Sequence, residues 1–483
     1  MNDNMKNQPE DPLAYRDRVQ IFQGTDDGSP AVISRKIALV APDEEFLYIV
    51  VAVGEGIVDV EVKDLPAGLT YSDEGPELDL RIEEDKPEQA AFTGIITGRY
   101  NGKSEHVFTI IATNGKGSVT EKVTIRPQDH ILPTPPMGWL SWEFFLLEVS
   151  QEKMKEAIDG LKKAGLDKHG YKYVTIDDGW QGTRIPGQPL QPNEKFPDMK
   201  ALSDYARQNG FILGIYTTPW IRSYGGFAGS GYHEALDVKQ LADWNIGYLK
   251  LDYRPWDVKH LSLWQDLLRQ SGKNIALSFS NNGLYDGGQE YLRDITDIWR
   301  TGWDIVGNWE RVKSCVYDQY LDVEGWKYLR KGHWPDPDML QIGVLREGNE
   351  MAENEQHFQM SIWSILPAPL LMSCDINKLS DFHMSLLTNE EVIAVNQDPL
   401  GLPAKPVNGD TKVLAKPLSD GTIAVGFFNH TDDELELSFT PKSVGLDGSQ
   451  LIRDIWAKKD LGEFAEYKEK VPARSARLFK TGK

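Results

Sequence analysis

Cysteine is nearly missing from this chain: Cys315 and Cys374 are the only two among 483 residues. Two thiols cannot build a disulfide framework or a thiolate metal site, which excludes a stapled mini-domain and a zinc ribbon. Long apolar runs are absent too, since none approaches the roughly 18 residues needed to cross a bilayer. Basic charge is in deficit, with 52 Lys and Arg against 73 Asp and Glu, a net of 52 − 73 = −21. That balance argues against nucleic acid or an anionic membrane surface as the main partner, and a neutral substrate would be indifferent to it. The opening MNDNMKNQPEDP lacks the apolar core of a secretory signal. A cytoplasmic enzyme fits this, and so does a periplasmic, secreted or cell-surface one whose leader was cut away.

The length points to two to four domains. The 14 tryptophans and 18 tyrosines suit large aromatic cores and equally the stacking of sugar rings. After a tail over 1–19, residues 20–127 carry short β-rich runs separated by Gly, Pro, Asp and Asn clusters, among them FLYIVVAV, IVDVEVKDL and HVFTIIATN. This spacing predicts a β-sandwich. Its segments LPAGLTY, GIITGRY and FTIIATNGKGS resemble the Ig-like modules attached to bacterial surface and carbohydrate-active proteins. No carboxylate pair or histidine cluster stands out in this region, which suits a spacer or docking module.

Prolines mark 128–136 as a linker. Over 137–402 strand-like runs then alternate with amphipathic helical ones. GWLSW precedes QEKMKEAIDGLKKAG, YKYVTIDD precedes DMKALSDYARQNG, and the series continues to LLMSCDI. Eight such units predict a (β/α)8 barrel. A doubly wound sheet is the runner-up, but no Gly-rich phosphate loop follows the first strand. From 403 to 483 short strands return, predicting a C-terminal antiparallel β-sandwich.

In such a barrel the C-terminal strand ends form the active face. That face would collect Trp142, Asp177, Asp178, Trp180, Tyr216, Lys250, Asp252, Arg300, Asp304, Asp338 and Asp375. In YLKLDYRP, Lys250 and Asp252 share one strand face, while Leu249 and Leu251 pack the other way. Only His333 among the histidines lies beside a strand end, so a transition-metal site is disfavoured. Two isolated carboxylates with an Arg and a Lys near suit glycoside hydrolysis. Asp177, Asp178 and Asp252 as oxygen ligands of a divalent metal are the rival that spacing leaves open.

The motifs PPMGWLSWEFF, YVTIDDGW, LGIYTTPW, YLKLDY, HWPDPDML, LPAPLLMSCDI and EVIAVNQDPLG run in order from Pro135 to Gly401. Together they resemble glycoside hydrolase family 27, the α-galactosidase and α-N-acetylgalactosaminidase group. The resemblance implies a retaining exo-glycosidase acting on terminal α-linked sugars, galactose first, without metal or cofactor. Position by position it implies Asp252 as nucleophile and Asp304 as general acid/base. Asp177 and Asp178 would hold O4 and O6 of the sugar, Lys250 its O3 and Arg300 its O2 side. Trp142 and Tyr216 would line the ring pocket, Trp180 would join the substrate-binding residues, and Asp338 would support the site. Double displacement asks for carboxyl groups roughly 5 to 5.5 Å apart. It also asks that Asp304 keep its proton through partial burial and a negative neighbour.

Two departures bear on specificity and lineage. Ser280, Asn281 and Asn282 stand where many members carry Cys-Glu-Trp and read the C2 substituent. An amide serves a hydroxyl or an N-acetyl group, which leaves α-N-acetylgalactosaminidase open beside α-galactosidase. The family also holds β-L-arabinopyranosidases, against which the intact Asp177 and Asp178 pair weighs. Tyr253 replaces the disulfide cysteine of many eukaryotic members, as in a bacterial-type enzyme. A non-catalytic carbohydrate-binding protein would have lost one of the two acids, and both are present.

Overall fold

β-Branched and aromatic runs separated by turn residues give the first 130 residues their sheets. The computed structural model describes residues 24–78, 89–254, 256–280, 284 and 287–482. The tail expected over 1–19, and Asn281 with Asn282, lie outside the described residues. The chain divides into two units, the first comprising Met1–Ile131, Gln181–Gln191 and Thr217–Asp297, the second Leu132–Trp180, Pro192–Tyr216 and Ile298–Lys483.

In the first unit, Ala31–Val32, Glu45–Glu55, Gln89–Arg99 and Leu69–Ser72 pair in that order as an antiparallel sheet. Ile37–Val40, Gly117–Pro127, His106–Asn114 and Asp59–Lys63 form a second sheet, whose first pair is parallel. Alternate residues Phe46, Tyr48 and Val50 meet Phe108, Ile110, Val123 and Ile125 in one buried cluster, as a strand with period two requires. Leu47, Ile49 and Val51 on the opposite face are buried as well, which is why FLYIVVAV is apolar without a break.

That outer face lies on helix Gln289–Ile295, where the Ile49 amide donates to Asp294 at 3.1 Å. Arg35 makes two bonds to the same carboxylate, at 2.6 and 2.9 Å, with both side chains buried. Asp266 of helix Val258–Gln270 accepts the amides of Lys36 and Ile37, each at 2.9 Å.

The central region alternates strand and helix. Its strands are β1 (Met137–Leu140), β2 (Tyr173–Ile176), β3 (Ile212–Thr217), β4 (Tyr248–Asp252), β5 (Ala276–Ser280), β6 (Ile298–Arg300), β7 (Trp334–Asp336) and β8 (Leu370–Met372). Helices Gln151–Lys163, Met199–Gln208, Glu234–Asp243, Val258–Gln270, Gln289–Ile295, Trp309–Val316, Glu353–Ile365 and Asp381–Leu387 follow in turn. Ser150, Asp198, Asp257 and Asn308 each cap the helix they precede by accepting an amide of its first turn. This is the strand–helix order expected of a (β/α)8 barrel.

Within the second unit β6 pairs with β7, and β8, β1, β2 and β3 pair in succession, all parallel. A parallel bridge from Leu340, just past β7, to Met372 joins the two runs into one six-stranded array. In the first unit β4 and β5 are parallel partners. No described helix is long and apolar enough to cross a membrane.

The second unit ends in the antiparallel β-sandwich expected of the last 80 or so residues. Lys405–Val407, Asp410–Pro417, Ile423–Asn429, Ser475–Thr481, Gln450–Asp454 and Lys459–Phe464 form a six-stranded sheet. Leu435–Phe439 pairs with Tyr467–Val471 across from it. Phe427, Phe439 and Phe479 fill the space between, with Tyr467 packed against them.

Candidate active site

The β1 end is built on close backbone approach. A Cβ at Gly138 would run into the carbonyl oxygen of Tyr173 on β2, so PPMGW keeps glycine there for packing. Ser141, next after β1, accepts the Asp177 amide on its hydroxyl at 2.9 Å. Trp142 then opens the short helix Trp142–Phe145 and is half-buried. Asp177 and Asp178 leave β2 fully buried. Each turns an oxygen back on the next amide, Asp178 N to Asp177 at 2.8 Å and Gly179 N to Asp178 at 2.9 Å. Such a turn keeps both carboxylates at the strand end. Trp180 is fixed by its indole N–H on the carbonyl of Tyr216, at 2.8 Å.

Across the same unit, Arg300 closes β6 and is buried. Its guanidinium lies 3.0 Å from Asp304 and 2.9 Å from Asp338. Burial by itself would lower the Arg300 pKa, but Asp338, Asp304 and Asp336 outweigh it and hold the group charged. Asp338 also accepts the Ile305 amide at 2.8 Å, and its own carbonyl accepts the Trp363 indole at 2.9 Å. It is thereby a hub that positions both Arg300 and the loop carrying Asp304.

Asp304 departs from expectation. Its side chain is 68% exposed and meets the Arg300 cation, where partial burial was anticipated. The residue stands four positions past the end of β6, on a loop instead of the strand, and only tertiary packing decides how deep a loop sits.

Three residues that the sequence did not single out join this part of the site. Glu143 is buried, accepts from Asn349 at 3.0 Å and lies 3.7 Å from the Arg346 guanidinium. Burial lifts the Glu143 carboxyl to about 7, Asp338 and Asp304 adding to the shift and Arg346 opposing it. The loop holding Arg346 and Asn349 touches the Asp304 loop through the Glu350 amide, 2.7 Å from the Gly307 carbonyl. An acidic residue amid the apolar run GWLSWEFF is the signal that would have found Glu143. Nothing local marks Arg346 or Asn349.

In the first unit Asp252 is the last residue of β4 and is half-buried. It stands in register opposite Ser280, and Lys250 opposite Ser278. Lys250 is buried, as are Leu249 and Leu251, so both faces of this strand are covered. Tyr253, directly after Asp252, is buried among rings, with Phe279 at 5.2 Å, His260 at 5.8 Å and Trp220 at 6.2 Å between centroids. Where a disulfide is missing, this aromatic cluster braces the chain after the carboxylate. Asp375 proves local: it caps the turn Ile376–Lys378 and pairs with Lys378 at 3.0 Å.

Of the residues anticipated, then, Trp142, Asp177, Asp178, Trp180, Tyr216, Arg300, Asp304 and Asp338 belong to the second unit, and Lys250, Asp252 and Ser280 to the first. Within the second unit, buried carboxylates, the Arg300 cation and aromatic rings at parallel strand ends are groups suited to a polyhydroxylated ligand.

Known proteins fix the class. A family model described as "Alpha galactosidase A" matches residues 134–398, and one described as "Alpha galactosidase C-terminal beta sandwich domain" matches 408–481. These matches define a glycoside hydrolase. The chain is 33% identical over 363 residues to an α-galactosidase of Oryza sativa, covering 72% of this chain and 84% of that one. Among solved structures it is similar to α-galactosidase I of Mortierella vinacea, with 27% identity, a TM-score of 0.67 and coverage of 72% of this chain and 97% of that one. A candidate α-galactosidase/melibiase from Bacteroides fragilis matches at 26% identity and a TM-score of 0.69, over 94% of this chain and 98% of its own. The chain belongs to glycoside hydrolase family 27, the α-galactosidase family.

Proposed function

We propose that this enzyme is an α-galactosidase that releases terminal α-linked galactose with retention of configuration. The supporting observation is Asp304 held 3.0 Å from a buried Arg300 that Asp338 secures from its other side. Such a triad places a carboxyl group able to carry a proton beside a fixed positive charge.

Asp252 attacks the anomeric carbon and forms a covalent glycosyl ester, while Asp304 gives its proton to the departing oxygen. Asp304 then accepts a proton from water, which opens the ester. Because Asp304 is exposed in the free protein and faces a cation, retention of its proton depends on cover by the bound substrate. Asp177 and Asp178 take O4 and O6, Lys250 O3, and Arg300 the O2 side. Trp142, Trp180 and Tyr216 line the ring, while Ser280 and Asn281 read C2. The first sandwich serves as an Ig-like accessory module.

Release of nitrophenol from p-nitrophenyl α-galactoside, set beside the α-N-acetylgalactosaminide and the β-L-arabinopyranoside, tests the sugar. Hydrolysis of the galactoside is expected to be fastest; a preference for either other glycoside would replace galactose with that sugar. Proton NMR of the first-formed product should show α-galactose, and β-galactose would reject double displacement. Asp252→Asn should abolish turnover while the circular dichroism spectrum and melting temperature hold. A variant near the parental rate would remove Asp252 from the nucleophile role.

A further inference from the structure

Of the fourteen tryptophans, all within the described residues, only Trp303 is exposed, with 38% of its surface in water. An indole is the most expensive ring to leave wet, and the chain buries or half-buries the other thirteen. Trp303 is also the immediate neighbour of Asp304.

Its exposure is built in, because the backbone on both sides of the ring is held. The Trp303 amide donates to the Gln319 side-chain oxygen at 2.6 Å, and its carbonyl accepts the Cys315 thiol at 3.6 Å. Gln319 is in turn tied to the Ser314 hydroxyl at 3.0 Å. It rides on a π-helical turn, Tyr317–Leu321, that extends helix Trp309–Val316, and such turns recur at functional sites. The loop thus presents the indole from a fixed frame.

We propose that Trp303 is the stacking platform for the leaving-group sugar, the residue to which the terminal galactose is joined. The inference rests on Asp304 being the acid/base. That group must reach the glycosidic oxygen, an atom shared with the leaving group, so the ring presented next to it borders the departing side of the bond. A pyranose offers a face of C–H groups that an aromatic plane covers well. The polar residues assigned to galactose leave no role for an exposed indole at that position.

The test compares kcat/KM for an α-galactosyl-(1→6)-glucose disaccharide and for α-galactosyl fluoride, whose leaving atom is too small to stack. The ratio of the two should fall about tenfold in Trp303→Ala and recover most of the way in Trp303→Phe. A ratio within twofold of the parental value overturns the platform. The same holds if both rates drop together, since equal loss means only that the ring supports the loop. If the parental protein turns over neither substrate, the α-galactosidase reading itself falls and the platform with it. If it turns over both and the ratio stays put, only the platform falls.

Discussion

Asp338 adopts a positive φ of 82°, a conformation that costs a non-glycine residue of order 1–3 kcal/mol. The strain is sustained by bonds at every polar atom: the carboxylate takes the amides of Ile305 and Met339, each at 2.8 Å, and the amide donates to Asp336 at 2.8 Å. Glu143 is the other residue whose environment defines it. Burial raises its carboxyl from 4.5 to about 7, so the unfolded chain ionises first as pH rises. The stability this group contributes is therefore complete below about 4.5 and lost as pH climbs through 7. Glu143→Gln is neutral throughout and should escape that loss. The parental melting temperature is expected to decline relative to the variant between pH 4.5 and 7, and two parallel melting curves over that range would refute it.

The loop after β6 carries Asp304, the proposed acid/base. Gly302 packs on Gln319 so closely that a Cβ would strike the side-chain oxygen that holds the Trp303 amide. Gly302→Ala should displace Gln319, free the loop and lower kcat/KM by about 100-fold, the cost of shifting a reacting group by roughly 1 Å. The melting temperature should change little, since nothing in the core moves. Retained activity in a steady-state assay would mean that the loop tolerates the shift. The sequence marked this element through RTGWD, in which Arg300 stands four positions before Asp304. It did not anticipate the loop's exposure, because neighbours far along the chain, Asp338 and Glu350 among them, set its height above the strand end.

At the scale of the whole molecule, the two N-terminal sheets are joined to helices of their own unit by buried charge. Removing one partner of the Arg35 and Asp294 pair strands the other in a dry contact, which costs about 3–5 kcal/mol. Arg35→Met should therefore lower the melting temperature by several degrees, and Arg35→Met with Asp294→Leu should regain much of it. A single variant as stable as the parent, in calorimetry or chemical denaturation, would show that the pair carries no weight. Alternation of strand and helix, the two flanking β regions, and the ordered motifs from Pro135 to Gly401 were all legible from residues alone. Periodicity and turn chemistry are local, and a strand's last carboxylate can be read from its position. What folding alone decided was the burial of Glu143 against Arg346 and Asn349, the strained hub at Asp338, and the open position of Trp303 and Asp304. Each depends on groups that meet only after segments distant in sequence have packed, and desolvation, unlike periodicity, has no local signature.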